Sequence, residues 1–313
     1  MSPATAQPPE VAPPAVLLDR VPAPPAHPHA EALHAEIGHW LSGTGLVDDA
    51  ERFLGRGHLD LAARGWGDVP AGPGLRAAAK WLLLERILDD RIAELRRTDR
   101  SDEARGTLRD LAAVLAGPAD PAPGPPATSP ARALSTLRQD SAALAGAAWT
   151  ARHDADLRAW LESSLDLLGT AGAVPTVPQY LSHRDRDGAA RCAADRIELA
   201  HGLALPEQLH RHPQLTDLLA RFAHLVQWIQ DLSPAAAGRG AGLPRAVEVH
   251  EGLPADAATA KVAALCAAEL TAFEFLADGI ARGSHWPPQV RQYARALVRF
   301  VHALTHWAAG PRR

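Results

Sequence analysis

The sequence predicts an all-α fold, and three observations support that prediction. Ala, Leu and Arg are frequent, whereas Thr and Ile are sparse. Runs in which β-branched and polar residues alternate, the pattern typical of strands, are absent. Apolar residues instead recur every three or four positions, as in Leu33, Ile37 and Trp40, which is the spacing of one helix face. With 313 residues, 47% of them hydrophobic, the chain is long enough to bury a substantial core.

The predicted elements follow in order along the chain. Residues 1–28 are rich in Pro and Ala and are expected to form a disordered tail. Residues 29–313 are expected to form one helical domain, interrupted at 117–130 by a Pro-rich surface loop. The pattern predicts helices at 29–40, 74–98, 131–150, 153–168, 177–187, 190–202, 207–233, 256–282 and 287–309.

Charge and cysteine content narrow the function classes. The formal net charge is −4 and no basic tract is present, so nucleic acid is not an expected partner. No apolar run reaches the roughly 18 residues that span a membrane, and the first residues lack the pattern of a signal peptide. A cytoplasmic protein without a membrane partner is therefore expected, and a homodimer is compatible with the sequence. Cys192 and Cys266 are interpreted as reduced core residues.

Two adjacent acids, Asp89 and Asp90, follow the apolar run WLLLERIL. Neighbouring carboxylates on one helix repel each other unless a cation neutralises them, and hard oxygen ligands of this type suit Mg²⁺. An alternative is a solvated acidic edge that Arg86, Arg91 and Arg96 balance. The pair alone leaves both a magnesium site and a surface patch open.

A second polar stretch, YLSHRDRDG at 180–188, precedes RCAADRIELAHGLALP at 191–206. With these two stretches the chain resembles the bacterial class I terpene synthases of the terpene cyclase-like group. The resemblance runs from PHAEALHAEIGHWLSGTGLV to the C-terminus and includes WLLLERILDD, WTARHDADLRAWL and FVHALTHWAAGPRR. The order and spacing of these pieces carry the resemblance, rather than any one of them.

The resemblance implies a class I terpene synthase-like α-helical bundle around a central apolar cavity. It also implies a reaction in which an isoprenyl diphosphate, farnesyl or geranyl, loses its diphosphate and becomes an allylic cation. The family's diphosphate-sensing arginine falls on Arg184, and its linker and effector positions fall on Asp187 and Gly188. A break at Gly188 would turn a backbone carbonyl toward the cavity. From the residues alone, RDRDG is also compatible with a polar helix end and a glycine cap.

Family members hold three Mg²⁺ ions between two motifs on facing helices, and the first motif is partial here. Asp89 and Asp90 match its first two acids, but the usual third acid falls on Ala93. Glu94 lies at i+4 from Asp90, on the same helical face, and is expected to substitute as a ligand. Many members carry an aromatic residue where this chain has Arg86. A charge there suits a hydrocarbon cavity poorly unless Arg86 pairs with an acid or turns toward the diphosphate.

The second metal motif has lost most of its ligands. Its Asn position falls on Gln230, 46 residues after Arg184, and Asp231 follows. Its other two ligands, expected at i+4 and i+8 on the same face, fall on Pro234 and Gly238, which carry no side-chain oxygen. The proline should kink or end the helix just before it. Fewer Mg²⁺ ions are therefore expected, and the expected ligands are Asp89, Asp90, Glu94 and Gln230.

Further arginines are candidates for the diphosphate. Arg239 and Arg245 follow the degenerate motif, and Arg313 falls on the family's C-terminal Arg-Tyr pair, whose second member is missing. The expected diphosphate-binding set is therefore Arg184, Arg239 and Arg313. The alternatives are a loop that Arg239 and Arg245 merely line and a frayed C-terminus.

Three hypotheses for the function follow. The first is a non-standard terpene synthase that ionises farnesyl or geranyl diphosphate with Mg²⁺. The second is a relative that has lost this ionisation and binds or transforms an apolar ligand lacking diphosphate, with Glu85, Arg86 and Asp89 in a new role. The third is a non-catalytic partner of a biosynthetic enzyme. The first hypothesis is favoured by the retained residues Asp89, Asp90, Arg184, Asp187 and Gly188. The missing oxygens at Pro234 and Gly238 favour the other two.

Overall fold

The computed structural model describes residues 15–117, 129–168, 173–233 and 242–310, and within these ranges it contains α-helices and no strand. The all-α prediction is therefore confirmed. The helices of the described part are α1 (Ala15–Leu18), α2 (Ala30–Thr44), α3 (Ala50–Leu54), α4 (His58–Gly65), α5 (Pro73–Arg97), α6 (Ser101–Ala116), α7 (Ser129–Leu168), α8 (Val177–Arg186), α9 (Ala189–Ala200), α10 (Glu207–His210), α11 (Pro213–Asp231), α12 (Leu243–Glu251), α13 (Ala255–Arg282) and α14 (Pro288–Ala309).

Helix α5 lies at the centre of the bundle and packs against α4, α6, α7 and α9. It begins at Pro73, whose fixed φ suits the first turn of a helix. Thirteen of its residues are buried, so apolar side chains cover most of its circumference. The indole of Trp81 donates a hydrogen bond to Ser141 Oγ at 2.8 Å, which fixes α5 against α7. Burial of each large apolar side chain stabilises the fold by about 1.5–3 kcal/mol.

Helix α14 closes the other side of the core against α4, α9, α11 and α13. Its Phe300 ring stacks on Trp66, with 5.9 Å between ring centroids, and lies 6.0 Å from Phe222 on α11. The hydroxyl of Tyr293 donates to the Ala194 carbonyl at 3.1 Å, which ties α14 to α9. Residues distant in sequence therefore meet in one continuous core.

The N-terminal segment corrects one expectation. Residues 1–14 lie outside the described residues, but 15–28 pack on the bundle instead of forming a free tail. Leu17 and Val21 are each only 3% exposed, and Arg20 donates to Thr271 Oγ1 at 2.6 Å. The imidazole of His306 bonds the Val21 carbonyl at 2.7 Å. Composition predicted disorder here because it does not register a few well-placed apolar anchors.

Helix α7, from Ser129 to Leu168, consists of two helical segments that meet at a kink at Gly146, whose φ of 80° and ψ of 176° are not helical and suit glycine. The sequence pattern also separated two helices here, 131–150 and 153–168, but placed the break a few residues later. Arg138, before the kink, donates two hydrogen bonds to Asp154 Oδ2, after it, at 2.9 and 2.7 Å. Both side chains are almost completely buried. Of the expected loop at 117–130, residues 118–128 lie outside the described residues.

Two further predictions concern the cysteines and membrane-spanning helices. Cys192 and Cys266 are free and buried, as predicted. None of the described helices combines the length and apolarity needed to cross a bilayer.

Candidate functional site

The candidate site lies where the C-terminal part of α5 meets the end of α11. Asp89 and Asp90 stand on α5, with side chains 37% and 38% exposed. Asp89 Oδ2 accepts from Arg86 Nη2 at 2.9 Å, and Asp90 pairs with Arg56, which lies between α3 and α4. The two predicted acids are therefore accessible, and each has a guanidinium beside it.

Glu94, the expected third ligand, is paired with Arg97 in the structure, and its role as a ligand stays a prediction. Its two oxygens accept from Arg97 at 3.0 and 2.7 Å on the exposed side of α5. The hydrogen bond from Arg97 lowers the pKa of Glu94. Arg97 lies three positions after Glu94 on the same helix, a spacing at which opposite charges pair. The Glu94 side chain is exposed, so no surrounding packing holds its carboxylate near Asp90.

The break between α8 and α9 positions Arg184, Asp187 and Gly188. Helix α8 ends at Arg186, and α9 begins at Ala189. Asp187 is buried, and its carboxylate accepts from Ala189 N at 3.0 Å and from Arg184 Nη1 at 3.2 Å. The Gly188 carbonyl accepts from Cys192 N at 2.9 Å, in the first turn of α9. The predicted break is present, but the Gly188 carbonyl accepts a hydrogen bond within α9.

Arg184 is the centre of a polar cluster that also contains Tyr180 and Asp231. Arg184 Nε donates to Tyr180 Oη at 3.2 Å, and Nη2 lies 3.7 Å from Asp231 Oδ1. Tyr180 in turn donates to Asp231 Oδ2. Burial, followed by the charge of Asp231, raises the pKa of the Tyr180 phenol, which therefore stays protonated. Burial lowers the pKa of Arg184, but Tyr180, Asp231 and Asp187 together raise it by more.

Tyr180 was not among the predicted site residues. The available signal was its position four residues before Arg184, which places both side chains on the same helical face. The Arg184 guanidinium also lies over the Tyr180 ring, 5.3 Å from its centroid. Tyr180 thus holds Arg184 through its ring and its hydroxyl.

The end of α11 completes the site. The helix ends at Asp231, slightly before the stop expected near Pro234. Gln230 Oε1 accepts from Arg86 Nη1 at 3.2 Å. Asp231 Oδ2 also accepts from Leu243 N at 2.8 Å, so this carboxylate bonds to α8 and α12. Pro234, Gly238, Arg239 and Arg313 lie outside the described residues. Arg245 pairs with Glu248 at 2.7 Å on an exposed turn of α12.

Comparison with known proteins decides the family. A family model described as terpene synthase family 2, C-terminal metal binding, matches residues 80–271. The chain belongs to this terpene synthase family. The matched range includes the acids of α5, the break between α8 and α9, and the end of α11.

Two curated terpene synthases are similar to parts of the chain. A (−)-α-amorphene synthase of Streptomyces viridochromogenes, described as cyclising (2E,6E)-farnesyl diphosphate, is 29% identical over 240 residues, 69% of this chain and 63% of the relative. A sesquiterpene synthase of Cyclocybe aegerita is 27% identical over 147 residues, 44% of this chain and 41% of the relative. The matches thus span less than two thirds of either relative's length.

Solved terpene synthases share the fold. The linalool/nerolidol synthase of Streptomyces clavuligerus aligns with a TM-score of 0.78 at 22% identity, covering 92% of this chain and 99% of that one. Its complex with 2-fluorogeranyl diphosphate aligns with a TM-score of 0.80 at 20% identity, covering 91% and 100%. At these identities the likeness shows the terpene synthase fold and leaves the substrate of this chain to other arguments.

The description of this terpene synthase family implies a divalent metal, and the residues fit such an ion on one side of the site. Asp89 and Asp90 offer the one or two carboxylates that Mg²⁺ uses together with substrate phosphates. On α11, Gln230 offers a neutral amide oxygen, and Asp231 is already bonded to Tyr180 and Leu243. Across the described ranges, no three His, Cys, Asp or Glu side chains are grouped to hold a metal ion. The α5 acids therefore fit one ion, and the end of α11 does not fit a second set.

An apolar pocket lies between α5, α6 and α7, and its lining on α5 ends at Leu88, the residue before Asp89. It encloses about 10 Å³, room for about one water molecule. Its walls are formed by Trp81, Leu84, Glu85, Leu88, Leu111, Leu115, Leu134, Leu157, Trp160 and Leu161. Glu85 is the one charged side chain of this wall and pairs with Arg196, which is also buried. Glu85 rather than Arg86 thus occupies the apolar wall.

Gly188 is needed for close packing, which gives a testable prediction. A Cβ added at Gly188 would lie 1.7 Å from the Asp156 carbonyl oxygen on α7, so α9 or α7 must shift. We expect Gly188→Ala to destabilise the protein by about 1–3 kcal/mol or more, measured by thermal unfolding. Gly43→Ala is the control, because nothing lies within 4 Å of its Cβ inside α2, and it should be neutral or slightly stabilising. Equal melting temperatures for the two variants would contradict the close approach.

Proposed function

We propose that this chain is a terpene synthase that ionises an isoprenyl diphosphate, farnesyl or geranyl, with Mg²⁺ bound at Asp89 and Asp90. One observation carries the proposal. A continuous series of polar contacts runs from Asp89 through Arg86 to Gln230, and from the adjacent Asp231 to Arg184. This series of contacts supports the assignment of Asp89, Asp90 and Arg184 to one site.

Binding of the diphosphate falls to the charged groups of this site. The α5 acids hold the divalent cation, which supplies Lewis-acid neutralisation of the leaving group when it is bound. Arg184 supplies a fixed positive charge, because Tyr180 and Asp187 orient its guanidinium through Nε and Nη1. A prepositioned donor needs no reorganisation when charge develops on the leaving oxygen.

Ionisation breaks the allylic carbon–oxygen bond. The bonding electron pair stays with the diphosphate, and the allylic carbon becomes a cation. The pocket between α5, α6 and α7 must widen to admit the hydrocarbon chain, since its present volume suits one water molecule. Trp81 and Trp160 line that pocket, and aromatic rings of this type stabilise a cation.

A second candidate function is supported by Glu85 in the pocket wall, whose carboxylate pairs with the buried Arg196. A buried carboxylate suits proton transfer to or from an apolar ligand that carries no diphosphate. Such a reaction does not need Asp89, Asp90 or a divalent cation. The two functions therefore differ in whether they depend on Mg²⁺.

The deciding experiment incubates purified protein with C10, C15 and C20 isoprenyl diphosphates, with and without Mg²⁺, and analyses products by gas chromatography and mass spectrometry. We expect C10 or C15 products that form slowly and only with Mg²⁺. No product above a heat-killed control would overturn the proposed ionisation. Turnover of a diphosphate-free isoprenoid without Mg²⁺ would instead support the second candidate.

A further inference from the structure

Arg86 connects the two helices that carry the metal motifs. Its Nη2 donates to Asp89 on its own helix at 2.9 Å, and its Nη1 donates to Gln230 on α11 at 3.2 Å. The side chain is 22% exposed, so solvent and ligands reach it. One guanidinium therefore spans the gap between an anionic and a neutral oxygen.

The other acids of the site are also paired with arginines. Asp90 pairs with Arg56, and Asp231 lies 3.7 Å from Arg184. A divalent cation and a guanidinium compete for the same carboxylate oxygens, because both are attracted by the same charge. The pair of Arg86 and Asp89 is accessible to water, and exposed ion pairs of this type exchange at little cost.

We propose that Arg86 is a tethered cation that exchanges Asp89 for the substrate's diphosphate when a divalent cation binds Asp89. The released guanidinium then donates its fork of N–H groups to phosphate oxygens, a geometry that phosphate suits well. Gln230 stays beside it as a neutral acceptor and orients the fork. Arg86 thus supplies positive charge from α5 next to the end of α11, where the carboxylate of Asp231 is already bonded to Tyr180 and Leu243.

The exchange predicts opposite effects of one substitution on two ligands. Arg86→Met removes one cation that competes for Asp89, so the divalent cation alone should bind several-fold more tightly. The same change removes a donor to the diphosphate, so magnesium diphosphate should bind at least about tenfold more weakly. A residue with a purely structural role would weaken both ligands together or neither.

The test uses the full chain and two probes. Preformed magnesium diphosphate is titrated by calorimetry, and Mn²⁺ alone is titrated by electron paramagnetic resonance, since oxygen ligands accept Mn²⁺ in place of Mg²⁺. Arg97→Met is the matched control, because Arg97 also pairs with an acid three residues away on α5, at 2.7 Å. It should leave both affinities unchanged. Arg86→Lys keeps the charge without the fork and should give intermediate affinity for the diphosphate.

The proposal rests on the proposed function for the identity of the anion, but the two fail separately. Binding of magnesium diphosphate that depends on Arg86, without product from any substrate, would retain the exchange and refute the ionisation. If the parent protein forms product and Arg86→Met keeps both affinities unchanged, the ionisation is retained and the exchange is refuted. Absence of diphosphate binding by the parent protein would overturn the exchange. If Arg86→Met does not fold, as judged by circular dichroism, a diphosphate affinity of Arg86→Lys within twofold of the parent overturns it.

Discussion

Asp89→Asn is expected to reduce product formation at least about a hundredfold, because the variant loses the charge that holds a divalent cation. The amide oxygen of Asn can still accept from Arg86, and the side chain is more than one third exposed. The melting temperature should therefore stay within about one or two degrees of the parent. Initial rates at saturating Mg²⁺, followed by mass spectrometry, measure the effect.

Asp217→Asn is the matched control for this substitution. Asp217 is an exposed acid that also pairs with an arginine, Arg221, at 3.2 Å. It lies on α11, 13 residues and about 20 Å before Gln230, so turnover should be unchanged. If Asp89→Asn is as active as the parent, Asp89 is not a metal ligand. If both variants lose activity equally, the loss results from the change in net charge and not from a metal ligand at Asp89.

The second large effect is expected on stability, from the buried pair in α7. Arg138→Met leaves Asp154 buried without its guanidinium and also removes donors to the carbonyls of Val114 and Gly117. Breaking such a pair costs about 3–5 kcal/mol. For a chain of this size the melting temperature should fall by roughly 5–10 °C. Unfolding by heat and by urea, followed by circular dichroism, measures the loss.

A second substitution distinguishes an unpaired buried charge from simple loss of packing. The double variant Arg138→Met with Asp154→Leu removes the orphaned carboxylate and should recover much of the lost stability, since apolar replacements of buried pairs are often tolerated. Arg282→Met is the surface control, because Arg282 pairs with an exposed Asp278. It should change stability by less than about 1 kcal/mol. A double variant no more stable than Arg138→Met would contradict the ion-pair explanation.

Helix periodicity predicted the fold class and the position of α5 well. The expected helix at 74–98 is Pro73–Arg97 in the structure, because a proline start and thirteen buried residues define it strongly. The break around Gly188 was also predicted, since glycine and flanking charges mark it in the sequence. Helix α6 was missed although Leu108, Leu111 and Leu115 recur at helical spacing.

The hydrogen-bond and ion-pair partners of the site residues could not be predicted from the sequence. Glu94 was placed with Asp90 by the i+4 rule, but Arg97 lies three residues away and takes the carboxylate. The sequence placed Asp231 next to the expected ligand Gln230 but did not indicate its partners, and in the structure Tyr180 and the Leu243 amide bind it from other helices. Such outcomes depend on contacts between distant segments, which a local pattern cannot encode. The same reason explains the packing of Leu17 and Val21 against the bundle.

The stacking of Phe300 between Trp66 and Phe222 also has a consequence for biosynthesis. Helix α14 completes the core around residues made more than 200 positions earlier, so the nascent chain must carry uncovered apolar surface until Pro288–Ala309 has left the ribosome. Contacts of such long sequence separation form slowly and late. Helices α4, α9, α11 and α13 therefore keep part of their apolar surface uncovered until the last helix packs on them, and the yield in a host cell should respond to chaperones that shield apolar surface during translation.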